Sequence, residues 1–132
     1  MILLDALYIN QGGAMSLLRY LVKELQREEV DFYFLVDSRC CDEFKSLPKV
    51  EYRVASLGAR KAFYKQHKDE FSTVLCFGNV PPPIKMHVVV YTYLHNINLL
   101  KIPTIFPWKR RLKDYMKQRV IDFYGKNTDI WI

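Results

Sequence analysis

The stretch LYINQGGAMSLLRYLVKEL, residues 7–25, decides the fold, because its pattern changes from strand to helix at a pair of glycines. The apolar run Met1 to Ile9 (MILLDALYI) suits a strand that is buried on both faces. Beyond Gly12 and Gly13, apolar residues recur at the spacings of three and four that mark one face of a helix: Met15, Leu18, Val22 and Leu25. The chain is therefore predicted to begin with a strand, a tight turn and a helix.

Five later segments have the β-branched and aromatic composition of strands. They are Asp31 to Val36, Val50 to Ala55, Ser72 to Phe77, His87 to Tyr93 and Thr128 to Ile132. Together with the first segment they predict a sheet of about six strands, with the third strand near its edge. Strands that alternate with helices favour right-handed crossovers and a mostly parallel sheet. The expected architecture is a Rossmann-like, doubly wound α/β fold in which residues 1–132 form one domain.

Two further helices are predicted on the surface of this sheet. The first covers Ala59 to Lys68, with Ala62, Phe63 and His67 facing inward. The second covers Pro107 to Gly125, since proline suits a first helical turn and glycine suits a helix exit. Its expected inward stripe consists of Trp108, Leu112, Tyr115, Met116, Val120 and Phe123.

The composition limits the classes of function. A chain of 132 residues, half of them apolar, can close a core without disulfides or a structural metal. The net charge of +6 favours phosphate-bearing partners, which include nucleic acid, anionic lipid and nucleotides. No run approaches the 18 or so apolar residues of a membrane span, and the apolar start Met1 to Ile9 is interrupted by Asp5 and lacks a basic n-region, so spanning and secretion are both disfavoured. Three cysteines without a CxxC pair fit a reduced, cytoplasmic setting.

Three polar segments are expected to meet at the carboxyl edge of the sheet, where doubly wound folds bind ligands. They are Asn10 to Gly13, Gly78 to Asn79, and His95 to Asn96. A Gly-Gly turn before a helix favours a phosphate or carboxylate, and it is equally typical of a turn that needs a positive φ. His95 could exchange a proton or hydrogen bond with a sugar hydroxyl, or it could only cap the strand end.

Several well-known chemistries lack their motifs in this sequence. The spaced GxGxxG of dinucleotide enzymes and the GxxxxGK[ST] of ATP and GTP enzymes do not occur. No DxD pair occurs that could hold Mg²⁺ or Mn²⁺ on a nucleotide diphosphate, so no metal site and a metal-independent mechanism are expected. GxSxG and HExxH are missing too, and Cys76 suits a small core residue better than a nucleophile.

The last predicted helix carries most of the excess positive charge. Residues 108–126 contain seven cations and two acidic residues. Arg110, Lys113 and Lys117 share one helical face, which could hold the domain on an anionic membrane surface at about 1 kcal/mol per cation. An ordinary solvated face is the alternative. Nucleic acid is not an expected partner, because the aromatic residues that would stack on bases are predicted to be buried.

The order of these features resembles the amino-terminal domain of GT-B glycosyltransferases, the group-1 (family 4) type. Three segments carry the likeness, which extends over nearly the whole chain: LYINQGGAMSLLRYLVKEL at 7–25, VVVYTYLHN at 88–96 and NTDIWI at 127–132. The sequence departs from that family between the fourth and fifth strands. There Gly78 to Met86 is proline-rich and too short for the usual helix.

The resemblance implies an acceptor-binding half of a two-domain enzyme, truncated here and inactive alone. A missing carboxyl-terminal domain would bind the nucleotide-sugar donor, which is a co-substrate, so no cofactor is implied. Gly12 and Gly13 would approach the donor phosphates or the transferred sugar, while Asn79, His95 and Asn96 would bind substrate, with His95 the candidate catalytic residue. The acceptor would be a saccharide or a lipid-linked cell-envelope intermediate, handled in the cytoplasm or at the inner leaflet of the membrane.

A second hypothesis of a different class stays open. The chain could be a non-catalytic, basic Rossmann-like module that binds a nucleotide or an anionic surface. A nicotinamide-dependent enzyme is a third reading, which the glycine spacing disfavours.

Overall fold

The computed structural model describes all residues, 1–132, and contains six strands and three α-helices. The strands are β1 (Ile2–Ala6), β2 (Phe32–Asp37), β3 (Val50–Arg53), β4 (Thr73–Cys76), β5 (Val89–Thr92) and β6 (Ile130–Trp131). The helices are α1 (Gly12–Arg27), α2 (Leu57–His67) and α3 (Trp108–Tyr124). Short 3₁₀ turns cover Ser38–Cys40, Ile97–Leu99 and Gly125–Asn127.

All six strands are parallel and lie in the order β3-β2-β1-β4-β5-β6. The order reverses beside β1, where Leu4 pairs with Phe34 of β2 on one side and with Leu75 of β4 on the other. The predicted Rossmann-like, doubly wound fold is confirmed. A ligand cleft is expected at this reversal point, outside the carboxyl ends of β1 and β4.

Alternate residues of β1 enter separate cores on the two faces of the sheet, as the period of two in a strand requires. Leu4 and Ala6 pack beneath α1 with Met15 and Leu18. Leu3 and Leu7 lie on the opposite face, in a second core to which α2 contributes Phe63 and Tyr64 and β4 contributes Val74. Burial on both faces explains why the sequence of β1 is apolar throughout apart from Asp5.

The inward faces predicted for α2 and α3 were partly wrong. In α2, Phe63 is buried as expected, but Ala62 is exposed and the other buried positions are Arg60 and Tyr64. In α3 most of the predicted stripe is exposed, Val120 is half-buried, and only Asp114 and Ile121 are fully buried. At least half of the residue surface is exposed at five positions of the stripe: Trp108, Leu112, Tyr115, Met116 and Phe123.

Neither α3 nor any other helix combines the length and hydropathy needed to cross a bilayer.

Candidate functional site

A cleft of about 990 Å³ lies at the carboxyl edge of the sheet, between the ends of β1, β4 and β5 and the helix α3. Its lining includes the amide side chains of four residues: Asn10, Gln11, Asn79 and Asn96. More than half of the lining residues are apolar, among them Leu99 and Met116. Apolar walls with a few polar groups are the usual make-up of a small-molecule site.

The glycine turn lies at the rim of this cleft and is open to solvent. Gly12 and Gly13 are exposed, and a methyl group added at either would meet no atom within 4 Å. They do not line the cleft themselves, whereas Gln11 and Ala14 on either side of them do. Gly12 has a φ of +72°, a conformation that favours glycine, as one of the two sequence interpretations proposed. Gly13 carries no such constraint.

The first turn of α1 keeps its backbone N–H groups free of side-chain partners. Gln11 stands at the N-cap without a side-chain hydrogen bond, and the turn contains no acidic residue. The positive end of the helix dipole is therefore not neutralised within the chain at the edge of the cleft.

Asn79 joins the loops that follow β4 and β5. Its Oδ1 accepts a hydrogen bond from the backbone N–H of Asn96 at 3.0 Å, and its Nδ2 lies 3.2 Å from Nε2 of His95. The residue has a φ of +67°, a left-handed conformation that asparagine tolerates better than most residues. The structure thus brings together three of the predicted substrate-binding residues.

These bonds determine the tautomer of His95. Because Oδ1 of Asn79 accepts from a backbone N–H, Nδ2 of the same amide must face the ring, and Nδ2 can only donate. Nε2 of His95 is therefore the acceptor, and the neutral ring carries its proton on Nδ1. Burial lowers the pKa of His95 below its ordinary value, and the nearby backbone of Phe77 offsets this only in part.

Neither ring nitrogen of His95 is free to act on a bound molecule in this structure. Nε2 is occupied by Asn79, and Nδ1 is buried without a partner in hydrogen-bonding geometry. The ring instead packs in a stack with Tyr93 and Phe77, at centroid distances of 6.0 and 6.5 Å. This geometry supports a role in holding the cleft wall, and the catalytic assignment of His95 stays a prediction.

A buried ionic cluster beneath the cleft was missed by the sequence reasoning. Arg60 of α2 donates to Oδ2 of Asp5 at 2.8 Å, and both side chains are at most 2% exposed. The hydroxyl of Tyr64 donates to the same carboxylate oxygen at 2.7 Å. The guanidinium lies over the rings of Tyr8 and Tyr64, 5.3 and 5.4 Å from their centroids.

The same guanidinium holds the loop between β4 and β5, which contains no helix, as its sequence predicted. Arg60 donates to the carbonyl oxygens of Val80 and Pro81 at 2.8 and 2.7 Å. Nδ2 of Asn127 donates to the carbonyl of Pro82 at 2.8 Å. Proline has no N–H and cannot join a strand ladder or a helix, so side chains satisfy the buried carbonyls instead.

One feature of the sequence points to this cluster. Asp5 interrupts an apolar run that is predicted to be buried on both faces, and a buried carboxylate needs a cation or several hydrogen-bond donors. Its partner, Arg60, lies 55 residues away in the chain, within a stretch that looks like a solvated basic helix.

Close packing beside the cluster explains the glycine at position 78, because a Cβ there would approach Cβ of Tyr8 to 3.2 Å.

Two of the three cations assigned to a membrane surface lie on the side of α3 that faces the cleft. Lys113 and Lys117 are cleft-lining residues. Arg110 stacks on the ring of Phe106, 3.6 Å from its centroid, and pairs with Asp114 at 3.8 Å. The assignment of these cations to a membrane surface stays a prediction. For Lys113 and Lys117 it competes with binding a ligand in the cleft.

The aromatic residues of α3, which were predicted to be buried and so unable to stack on bases, are mostly exposed. Trp108, Tyr115 and Phe123 are exposed on α3. Two cations lie over these aromatic rings: Lys109 over Trp108 and Lys126 over Phe123. The absence of a nucleic-acid partner therefore stays a prediction without this support.

The thiol of Cys76 is buried beside the ionic cluster, and burial raises its pKa to about 12. It is therefore a thiol rather than a thiolate at neutral pH, as expected for a core residue.

A comparison of the chain with protein-family models, with curated proteins and with solved structures found no match in any of the three.

Proposed function

We propose that the chain is the acceptor-binding half of a glycosyltransferase, which moves a sugar from a nucleotide-sugar to a saccharide or a lipid-linked cell-envelope acceptor. The observation that carries this proposal is the cleft at the reversal point of the sheet. Its amide side chains can bind sugar hydroxyls, its apolar walls can cover a sugar ring, and an exposed glycine turn borders it.

In this proposal the glycine turn and the start of α1 bind phosphate. Backbone N–H groups at the start of α1 would stabilise charge on a departing diphosphate without a metal ion. A second α/β domain, not included in these 132 residues, would hold the donor opposite the cleft. Asn79 and His95 would shape the acceptor side of the site.

The proposal is tested on the full-length protein by screening nucleotide-sugars for release of nucleoside diphosphate. Gly13→Val should abolish release while leaving the fold intact, because the added side chain points into open space at the rim. Gly58→Val is the matched control, since a methyl group at Gly58 also meets no atom within 4 Å and Gly58 lies in the first turn of α2 instead of in the glycine turn at the rim of the cleft. Equal activity of the two variants would remove the turn from the mechanism.

A non-catalytic binding module is the second candidate. It is favoured by the occupied and buried nitrogens of His95 and by a cleft lining without a carboxylate, so neither a free histidine nor an acidic side chain is present to act as general base. The candidates differ in turnover: the module would bind sugars or nucleotides without releasing nucleoside diphosphate. If the full-length protein does turn over, His95→Gln distinguishes a structural histidine from a catalytic one, since a structural role predicts largely preserved activity.

We further propose that the domain contacts an anionic bilayer through α3 and so works at the membrane surface. The exposed Trp108, Leu112 and Tyr115 would enter the interface, and the cations of the helix would attract anionic lipid. Co-sedimentation with phosphatidylglycerol vesicles should fall in Trp108→Ser/Leu112→Ser. A smaller loss is expected in Arg110→Glu/Lys113→Glu. Equal sedimentation of all three proteins, or binding to single-stranded oligonucleotide instead of vesicles, would count against the bilayer.

A further inference from the structure

The cleft is cationic and contains no acidic side chain. Of the residues that line it, three carry charge, and these are Arg39, Lys113 and Lys117. Neutral sugars do not require such a charge, because their hydroxyls donate as well as accept and are served by amides. An excess of fixed positive charge inside a recess concentrates anions there.

The two lysines are free to bind, unlike the arginine. Arg39 is engaged with Asp37 at 2.5 Å, and the hydrogen bonds from Arg39 keep the pKa of Asp37 below its ordinary value although burial opposes this. Neither Lys113 nor Lys117 has a carboxylate within 4 Å. The nearest acid along the helix, Asp114, is buried and turned toward Arg110.

The positions of the lysines suit one doubly charged group. They are four residues apart on α3, so they share a face and lie about 6 Å apart along the helix axis. Lysine is a compact point charge that binds phosphate without the bidentate geometry that arginine favours. The N-terminus of α1, with its free N–H groups and no acidic residue, lies at the rim of the same cleft.

We infer that the acceptor bound in this cleft carries a phosphate group, which Lys113 and Lys117 hold while the amides of Asn79 and Asn96 face its sugar. This inference rests on the proposed function and adds the class of acceptor to it. The phosphate could belong to a soluble sugar phosphate or to a lipid-linked one, and the two share the chemistry that the lysines recognise.

The test is a binding titration of the chain followed by amide chemical shifts. Four probes are compared: glucose 1-phosphate, methyl glucoside, inorganic phosphate and geranyl phosphate. We expect glucose 1-phosphate to bind more tightly than methyl glucoside and to shift residues around Asn79 and Lys113. Its affinity should fall as salt is added, since the contact is partly exposed. Whichever of glucose 1-phosphate and geranyl phosphate binds more tightly identifies the source of the phosphate.

The variant Lys113→Gln/Lys117→Gln should weaken binding of glucose 1-phosphate by about tenfold or more, as expected for the loss of two charge contacts. Lys109→Gln/Lys126→Gln is the matched control, because it removes the same charge from the same segment outside the cleft. Equal weakening by both variants would show a general field effect and overturn the inference. Equal affinity for methyl glucoside and glucose 1-phosphate, or no binding of any phosphate probe, would overturn it as well.

The outcomes separate this inference from the function on which it rests. Inorganic phosphate that binds as tightly as glucose 1-phosphate, with chemical-shift changes only around the two lysines, would support the phosphate site. The same result would remove the support for the sugar-binding proposal. If methyl glucoside binds as well as glucose 1-phosphate and the full-length protein transfers sugar to neutral acceptors, the proposed function stands and the phosphate is refuted.

Discussion

Replacing Arg60 by methionine tests whether the buried ionic cluster holds the floor of the cleft. Methionine preserves much of the volume of the arginine stem but removes the guanidinium. The Asp5 carboxylate would then keep only the hydroxyl of Tyr64 and the backbone N–H of Leu7 as donors. The carbonyls of Val80 and Pro81 would lose the donors that they now have from Arg60.

The expected loss of stability is large. Removing one partner of a buried ion pair costs about 3–5 kcal/mol, and each carbonyl left without a donor in the interior adds about 1–3 kcal/mol where water cannot reach it. The remaining donors on Asp5 and water entering the loop reduce the sum, so we expect a decrease of about 5 kcal/mol in the free energy of unfolding. That is comparable to the whole stability of a marginal domain.

Urea unfolding followed by circular dichroism measures this decrease. The control is Arg53→Met, because Arg53 is partly exposed in its pair with Glu51 and should cost at most about 1 kcal/mol. If Arg60→Met does not fold, Asp5→Leu/Arg60→Met should recover a folded protein, since removing both charges leaves no unpaired ion. A loss below 1 kcal/mol for Arg60→Met would refute the reasoning, as would a double variant less stable than the single one.

Three further measurements follow from the geometry of the cleft. Gly12→Ala should destabilise the protein by about 1 kcal/mol because of its positive φ, whereas Gly13→Ala should be neutral or slightly stabilising in thermal unfolding. Because the pKa of His95 is lowered in the folded chain, the unfolded chain takes up a proton at a higher pH than the folded chain does. The stability of the wild type should therefore decline as the pH falls below about 6.5, and it should decline less in His95→Gln. Asn79→Asp should raise the pKa of His95 in an NMR titration, because a carboxylate would replace the amide donor; an unchanged pKa would contradict the contact between the two side chains.

The fold was predictable because its central strands carry strong local patterns. β1 is apolar on both faces, and the helix after it has a regular apolar stripe, so the first strand–turn–helix unit needs little information from the rest of the chain. Most strand ends were set one to three residues too wide, whereas the start of β3 was exact and the end of β2 was one residue short. This is expected, since residues such as Leu7 and Ile9 are buried without belonging to the ladder.

The orientation of α3 was not predictable from its periodicity. The apolar stripe that contains Trp108, Leu112 and Tyr115 shows that one face differs from the other, but it does not show which face meets the sheet. In the structure the buried residues of α3 are Ile121 and Asp114, whereas Trp108, Leu112 and Tyr115 are more than half exposed. Propensity and pattern decide that a helix forms, and tertiary contacts decide how it is rotated.

The meeting of Asn79 and His95 follows from the register of β4 and β5. The strands are parallel, and their last paired residues are Cys76 and Thr92. Asn79 and His95 each lie three residues beyond that pair, so equal extension brings their side chains to the same height at the edge of the sheet. The choice of hydrogen-bond partners depends on the left-handed turn at Asn79 and on the loop that Arg60 holds, both of which lie outside any local pattern. Strand register therefore positions the cleft, and the buried ionic cluster shapes it. Arg60→Lys would keep the positive charge but provide fewer hydrogen-bond donors. This substitution therefore separates the effect of the cluster on folding from its effect on the geometry of the cleft.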